Sequence, residues 1–205
     1  MTTPPSPSTA VRGPVEHDVR VQIVLAATEH FRHFGYDKTT VSDLAKSIGF
    51  SKAYIYKFFA SKQAIGEVIC ANCLQQIEHD VQAALAGAEG APEKLRNLFK
   101  TLVESSLRLF VHDRRLYELA AAAVSERWPA ASTYTVRIRE LVTRILQEGR
   151  EAGEFERRTP LDEAATATYM VLLPYINPVT LQHLADAHKE APTALSSLVL
   201  RSLSP

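Results

Sequence analysis

The chain has 205 residues, 46% of them hydrophobic, and balances 23 Lys and Arg against 23 Asp and Glu. That composition fits a globular protein with a real core, as one large domain or a small one joined to a larger one. It gives no global electrostatic case for nucleic acid, and no apolar run approaches the roughly 20 residues of a membrane helix.

The first stretch, MTTPPSPSTAVRGP, is rich in Pro, Ser and Thr and has no apolar signal core. It reads as a disordered tail over 1–16 of a cytoplasmic protein. From Val19 to Phe34, Ile23, Val24, Ala27, Phe31 and Phe34 recur at helical spacing, and Gly35 stands where a left-handed helix terminus is wanted. Thr40 can cap a short second helix, with Asp43 three residues on as a near capping box and Leu44, Ala45 and Ile48 as its apolar side. Gly49 ends that helix after about two turns. Ser51 caps a third helix running to Phe59, and Ser61 a fourth running to about residue 85.

GAEGAP at 87–92 is the clear internal break. Beyond it, helices are expected at about 92–111, 114–125, 129–152, 160–175 and 192–203. Pro129, Pro160 and Pro192 suit first helical turns, whereas Pro174 and Pro178 should kink or end the eighth helix. The expected fold is all-α with about nine helices: a head over 17–63 and a larger helical body over 64–205. Cys70 and Cys73 form a C-x-x-C pair inside the fourth helix. No strand or second pair accompanies them, so burial on a helix face is favoured over a redox or metal site.

Local charge is more informative than the total. Between Arg32 and Lys62 six Lys or Arg stand against two acids, Asp37 and Asp43. This is a basic patch on a neutral chain. Within it, SKAYIYKFFASK (51–62) interleaves four rings with three lysines. At about 100° per residue, Ile55, Phe58 and Phe59 form an apolar arc, leaving Lys52, Ala53, Tyr54, Tyr56 and Lys57 facing outward. Ammonium groups for phosphates, phenols for phosphates or base edges, and a small residue for close approach suit a helix entering a major groove. Lys62 opposes the dipole of the helix it begins, so it is either an indifferent surface lysine or one awaiting an anion. Two short helices joined by a glycine turn have the outline of a helix-turn-helix, which by itself is weak.

Residues 23–65 resemble the DNA-binding domain of TetR/AcrR-type transcriptional regulators. The likeness is carried by Phe31, Gly35-Tyr36, Thr39-Thr40, Leu44-Ala45, Gly49, Ser51, Ile55-Tyr56, Phe58-Phe59 and Ser61-Lys62. The resemblance implies that Thr40 and Lys62 hold phosphates and that Lys52, Ala53 and Tyr54 read bases. Tyr56 then touches backbone or base, and Lys57 does either. Independently of the resemblance, the helix starts at Thr40, Ser51 and Ser61 can each meet a phosphate, with the capping hydroxyls assisting. Two positions depart from the pattern: Ala53, often Gly, and Phe58, often Tyr or His, which has no polar atom to offer and is assigned to packing.

The resemblance further implies a homodimer on a double-stranded operator and a body that binds a small-molecule effector. The last two helices supply small or apolar positions for the dimer: Ala164, Ala165, Ala167, Thr168, Val171 and Leu172, then Leu195, Leu198, Val199 and Leu203. The same positions also fit an intrachain core. Rings with polar tips and their neighbours are the candidate lining of an effector pocket: Phe110, Tyr117, Trp128, Tyr134, Tyr169, Met170 and Tyr175, with His112 nearby. They suggest a lipophilic or aromatic ligand. No cofactor or metal is implied. A helical adaptor for protein partners is the rival reading. A helical enzyme is less favoured, since no triad, phosphate-loop or metal-ligand spacing is present.

Overall fold

The computed structural model describes residues 16–184 and 191–205. All but the last residue of the expected tail lies outside the described residues, Glu16 already belonging to the first helix. Among the described residues there are ten α-helices and no strand.

The head opens with α1 (Glu16–Phe34), whose Val19, Ile23, Val24, Ala27 and Phe31 form one buried stripe. Next comes α2 (Val41–Ser47), which ends at Gly49 with φ +72°, where the N–H of Phe50 donates to the Ala45 carbonyl at 2.9 Å. That left-handed turn sets the corner between α2 and α3, and a side chain there would be strained. The third helix, α3 (Lys52–Ile55), is shorter than expected. Past Ile55 the N–H groups of Lys57 and Phe58 reach back only three residues, to the carbonyls of Tyr54 and Ile55. The chain tightens there into a 3₁₀-like turn.

The body begins with α4 (Lys62–Ala86), which leaves the head and is 25 residues long. It is followed by α5 (Ala91–His112), α6 (Arg114–Ser125), α7 (Pro129–Glu151), α8 (Leu161–Ile176), α9 (Pro178–Leu184) and α10 (Ala191–Ser202). Asp113 alone separates α5 from α6 and caps the latter, accepting from the Leu116 N–H. Pro174 sits inside α8, which continues to Ile176. Pro178 does more than end it: the Asn177 Oδ1 accepts from the Val179 N–H at 2.9 Å, and Pro178 begins the extra helix α9. Pro at a first helical position is as natural as Pro after a last one, so the residue type alone does not separate the two roles.

Two buried clusters hold these helices. One joins α1–α3 to Ile65, Ile69 and Cys70 of α4, Leu116, Leu119 and Ala123 of α6, Trp128 and Ala131. The other joins α4, α5, α7, α8 and α10 around Leu98, Leu102, Val142, Leu146 and Leu172. Six of the ten positions considered for a dimer, Ala164, Ala165, Thr168, Leu172, Val199 and Leu203, are buried within the protomer's own core. Ala167 and Leu198 are exposed, as is Met170 beside them, while Val171 and Leu195 are half-buried. Cys70 is buried and Cys73 half-buried, and burial pushes the Cys70 thiol up to about 12.

Phe59 is 3% exposed in the head core. Phe59→Ala is expected to cost about 3–5 kcal/mol in urea unfolding, the scale of a buried ring deletion.

Candidate nucleic-acid interface and effector cavity

Each short helix of the head starts on a hydroxyl. At Thr40 the capping box is complete: its Oγ1 accepts from the Asp43 N–H at 3.2 Å, and its own N–H donates to Asp43 Oδ2 at 3.0 Å. The Thr40 hydroxyl donates to the same carboxylate oxygen at 2.6 Å, so its proton is already engaged. Ser51 and Ser61 accept from the N–H groups of Tyr54 and Ala64 at 3.1 and 3.0 Å. Among the described residues neither serine uses its hydroxyl proton, leaving each a free donor beside a helix start.

On α3 and the turn after it, Lys52, Ala53, Tyr56 and Lys57 are all exposed, Tyr56 at 45%. Lys52 Nζ lies 5.9 Å from the Tyr56 ring centre, and Lys57 Nζ 5.6 Å from that of Tyr54. These are the outer range of cation–π contact. Tyr54 is not the freely outward side chain expected. It is half-buried between Phe50 and Phe58, edge-on to both at 5.0 and 5.2 Å. Phe58 is likewise half-buried, and only Ile55 and Phe59 reach full burial. The tightened turn after Ile55 rotates the later residues off the 100° grid. Arg20, which sequence reasoning missed, fastens this turn to α1. Its guanidinium donates to the Phe58 carbonyl and lies 4.3 Å from the Phe59 ring centre. Nothing in the sequence links positions 38 residues apart.

Lys62 has a partner. Its Nζ donates to the Tyr36 carbonyl at 2.9 Å and lies 4.2 Å from the Tyr36 ring centre. A lysine ammonium has three protons, so two stay available to an anion. Its anomalous place on the helix dipole is thus explained in part by a carbonyl of the same chain.

A cavity of about 90 Å³ lies among α4–α8. Of the seven residues proposed to line it, Tyr117, Tyr134 and Tyr169 do. Phe110 packs edge-on against Tyr117 at 4.8 Å without lining the space. Tyr175 is half-buried against the body core, Met170 is 56% exposed, and Trp128 belongs to the head's core. His112 faces a separate outer groove between α1, α4 and α5. The lining that was missed is mostly aliphatic, Leu74, Leu109, Ile138 and Leu173 among it, with Cys70, Ser106, Thr135 and Asn177 interspersed; none of these has a sequence signature that sets it apart from ordinary core. The Tyr117 hydroxyl donates to the Pro178 carbonyl at 2.6 Å. Burial holds its proton up to about 12 against the pull of Arg114, and burial likewise raises Tyr134.

Beyond the shared buried cluster and the Lys62–Tyr36 contact, Arg32 and Trp128 also tie head to body. Arg32 at the end of α1 pairs with Asp113 at 2.7 Å, at the α5–α6 junction. Trp128, 1% exposed, inserts between α4 and the loop after α1, edge-on to Tyr36 at 5.5 Å, its Nε1 donating to Glu126 at 2.8 Å. A turn with Arg127 at φ +57° throws the ring back, the Trp128 N–H closing on the Ala123 carbonyl at 2.8 Å.

Comparison with known proteins gives a consistent result. The family described as bacterial regulatory proteins, tetR family, matches residues 23–68. The tetracyclin repressor-like C-terminal domain matches residues 91–195, half of the chain. The regulator BetI of Agrobacterium fabrum is 36% identical over 76 residues, 37% of this chain and 37% of that protein, so the chain spans well under half of that relative. The fatty acid degradation regulator FadR from Bacillus halodurans superposes with a TM-score of 0.67 at 19% identity, covering 93% of this chain and 97% of that one. A TetR/AcrR regulator from Thermobifida fusca gives 0.66 at 22%, covering 89% and 97%. At these identities the two solved structures establish the fold.

The Thr40 hydroxyl and backbone hold the Asp43 carboxyl below the ordinary aspartate range. A depressed folded value means the cap is fully present above the usual carboxylate range and is lost as pH falls through that folded value. Thr40→Val is expected to move the Asp43 titration, followed by NMR, back up toward ordinary aspartate. An unmoved titration means the hydroxyl does not hold it.

Proposed function

The chain belongs to the TetR/AcrR family of transcriptional regulators, and from that premise we propose that it is a cytoplasmic repressor released from its operator by a small lipophilic or aromatic effector. Residues 17–63 act as the DNA-binding head and 64–205 as the effector-binding and dimerising body. The observation that carries this reading is the solvent face of α3, where Lys52, Ala53, Tyr56 and Lys57 stand together behind the Gly49 corner. The ammonium groups meet phosphates, and Tyr56 meets a phosphate or a base edge. Ser51 donates its free hydroxyl proton beside the start of α3. Tyr54 contributes its edge while bracing the helix, and Thr40 acts through the order it gives to α2. Lys62 adds a phosphate contact with its remaining protons. A homodimer places two such helices one DNA turn apart, about 34–36 Å, on a palindromic site.

Effector and operator communicate through a two-state equilibrium, and the effector shifts it by no more than its difference in affinity for the two states. The lever is α4 together with Trp128. Val124 and Ala131 line the cavity on either side of Trp128, whose ring sits on α4 beside the head. A ligand that pushes this segment outward lifts the wedge.

The protein-adaptor reading is tested by the same experiment. An operator selected from a randomised DNA pool is titrated by fluorescence anisotropy across salt concentrations. Lys52→Ala and Tyr56→Ala are each expected to weaken binding at least about fivefold, at about 1–3 kcal/mol per base-reading contact. Lys62→Ala should weaken all sequences alike and lower the salt slope by about one. Undiminished affinity in all three, or a shallow salt dependence, sinks the DNA-reading assignment. For the lever, Gly66→Ala adds a methyl 3.0 Å from both Trp128 and Tyr36. It is expected to change the emission of the lone tryptophan and the effector concentration needed for operator release. If both stay as in the wild type, Trp128 is not the lever.

A further inference from the structure

The cavity's chemistry narrows the effector further than its aromatic lining does. Its wall carries no Asp, Glu, Lys, Arg or His. The Cys70 thiol and the Tyr117 phenol are held protonated by burial, so no fixed charge faces the space. Not every polar group is free. The Tyr117 hydroxyl already donates to the Pro178 carbonyl, and Asn177 Oδ1 accepts from Val179. Lining groups with no hydrogen-bond partner among the described residues include Ser106 Oγ, Tyr134 Oη and Asn177 Nδ2. The rest of the wall is apolar, with Leu74, Leu109, Ile138 and Leu173 among its residues.

Size adds a second constraint. The space is about 90 Å³. A cavity of about 150 Å³ accepts benzene, and drug-sized ligands occupy about 300–1,000 Å³. A single ring fits after a modest outward shift of the wall; an acyl chain or a fused-ring skeleton does not.

We propose that this cavity takes an uncharged, single-ring molecule carrying one or two hydroxyl groups, and that it rejects carboxylates of the same size. The proposal rests on the effector reading above and specifies the ligand's charge and bulk. An anion loses its hydration on entering and finds no cation in the wall to replace it, the Arg114 and Arg139 guanidiniums lying 5.8 and 5.7 Å from the Tyr117 and Tyr169 ring centres without lining the space. A neutral hydroxyl instead meets Ser106 and Tyr134, two lining residues whose hydroxyls have no partner among the described residues. The ring's bulk does the mechanical work. Since the resting space is smaller than the ring, occupancy displaces wall residues, Val124 and Ala131 among them.

Calorimetric titration of the full-length protein without DNA tests this, using phenol, benzoate, toluene and octanoate at neutral pH. Phenol should bind at least tenfold more tightly than benzoate and octanoate. Tyr134→Phe combined with Ser106→Ala should weaken phenol about tenfold and leave toluene within about twofold. Helicity and melting temperature establish that the variant is folded. A second variant, Ala120→Phe, fills the cavity from α6 and should abolish binding of both neutral rings. Benzoate binding as tightly as phenol overturns the proposal, as does phenol binding that ignores the double substitution or the filled cavity, or no phenol binding at all. Operator titration separates the two readings. Phenol that binds without releasing DNA overturns the regulatory reading and leaves the ligand class standing. Release by an anion, with no phenol binding, does the reverse.

Discussion

The seating of Trp128 on Gly66 is the contact on which the relation of head to body depends. A Cβ at position 66 would lie 3.0 Å from both the Trp128 and the Tyr36 rings, so the absence of a side chain on α4 is what lets the ring in. Tyr36 completes the socket, edge-on to Trp128 on one side and to Phe31 of α1 on the other, at 5.5 and 5.3 Å. Lys62 then grips Tyr36 by its carbonyl and its ring. The chain of contacts thus runs from the α6–α7 turn through the loop after α1 to the first turn of α4. Burial, with Glu126 adding to it, pushes the Tyr36 phenol up to about 12, so the Tyr36 ring itself stays neutral at ordinary pH. Close packing makes such a socket two-state in character: a ring is either seated or it is not.

The turn that delivers Trp128 has a cost built into it. Arg127 occupies the left-handed region, where a side chain costs on the order of 1–2 kcal/mol relative to the right-handed one. The Trp128 and Arg127 N–H groups close on the carbonyls of Ala123 and Val124, and burial of the indole offsets the strain. A segment held this way is stable only while the ring stays buried. That makes it a better lever than the Arg32–Asp113 pair, whose exposed partner leaves it screened by solvent and salt.

Much of the head was legible in the sequence because its signals are local. A capping hydroxyl, a carboxylate three residues later and a glycine after the last turn each act within one turn of helix, and Thr40, Ser51, Ser61 and Gly49 all behave as the sequence reading expected. Side-chain direction was less legible. The angular sorting of α3 placed Ile55, Phe59, Lys52 and Lys57 correctly, but treated Tyr54 as free and extended the helix through a turn that tightens after Ile55. Trp128 was read as a pocket residue because a ring with a polar tip suits a cavity wall and a domain junction equally. Only tertiary structure decides between them. The helix at Pro178 was hidden by a residue type that both ends and begins helices.

The wedge and the cavity also explain each other's dimensions. Were the cavity already large enough for its ligand, occupancy would add contacts without moving the wall, and the two states would bind the ligand alike. A ligand with no difference in affinity shifts nothing, however tightly it binds. A resting space of about 90 Å³, smaller than a ring needs, forces binding to be a preference for the displaced state. Ala131 belongs both to the cavity wall and to the buried cluster that holds Trp128 and the head, so displacement at one is displacement at the other. In this fold a tight cavity is therefore a condition for coupling rather than an obstacle to it.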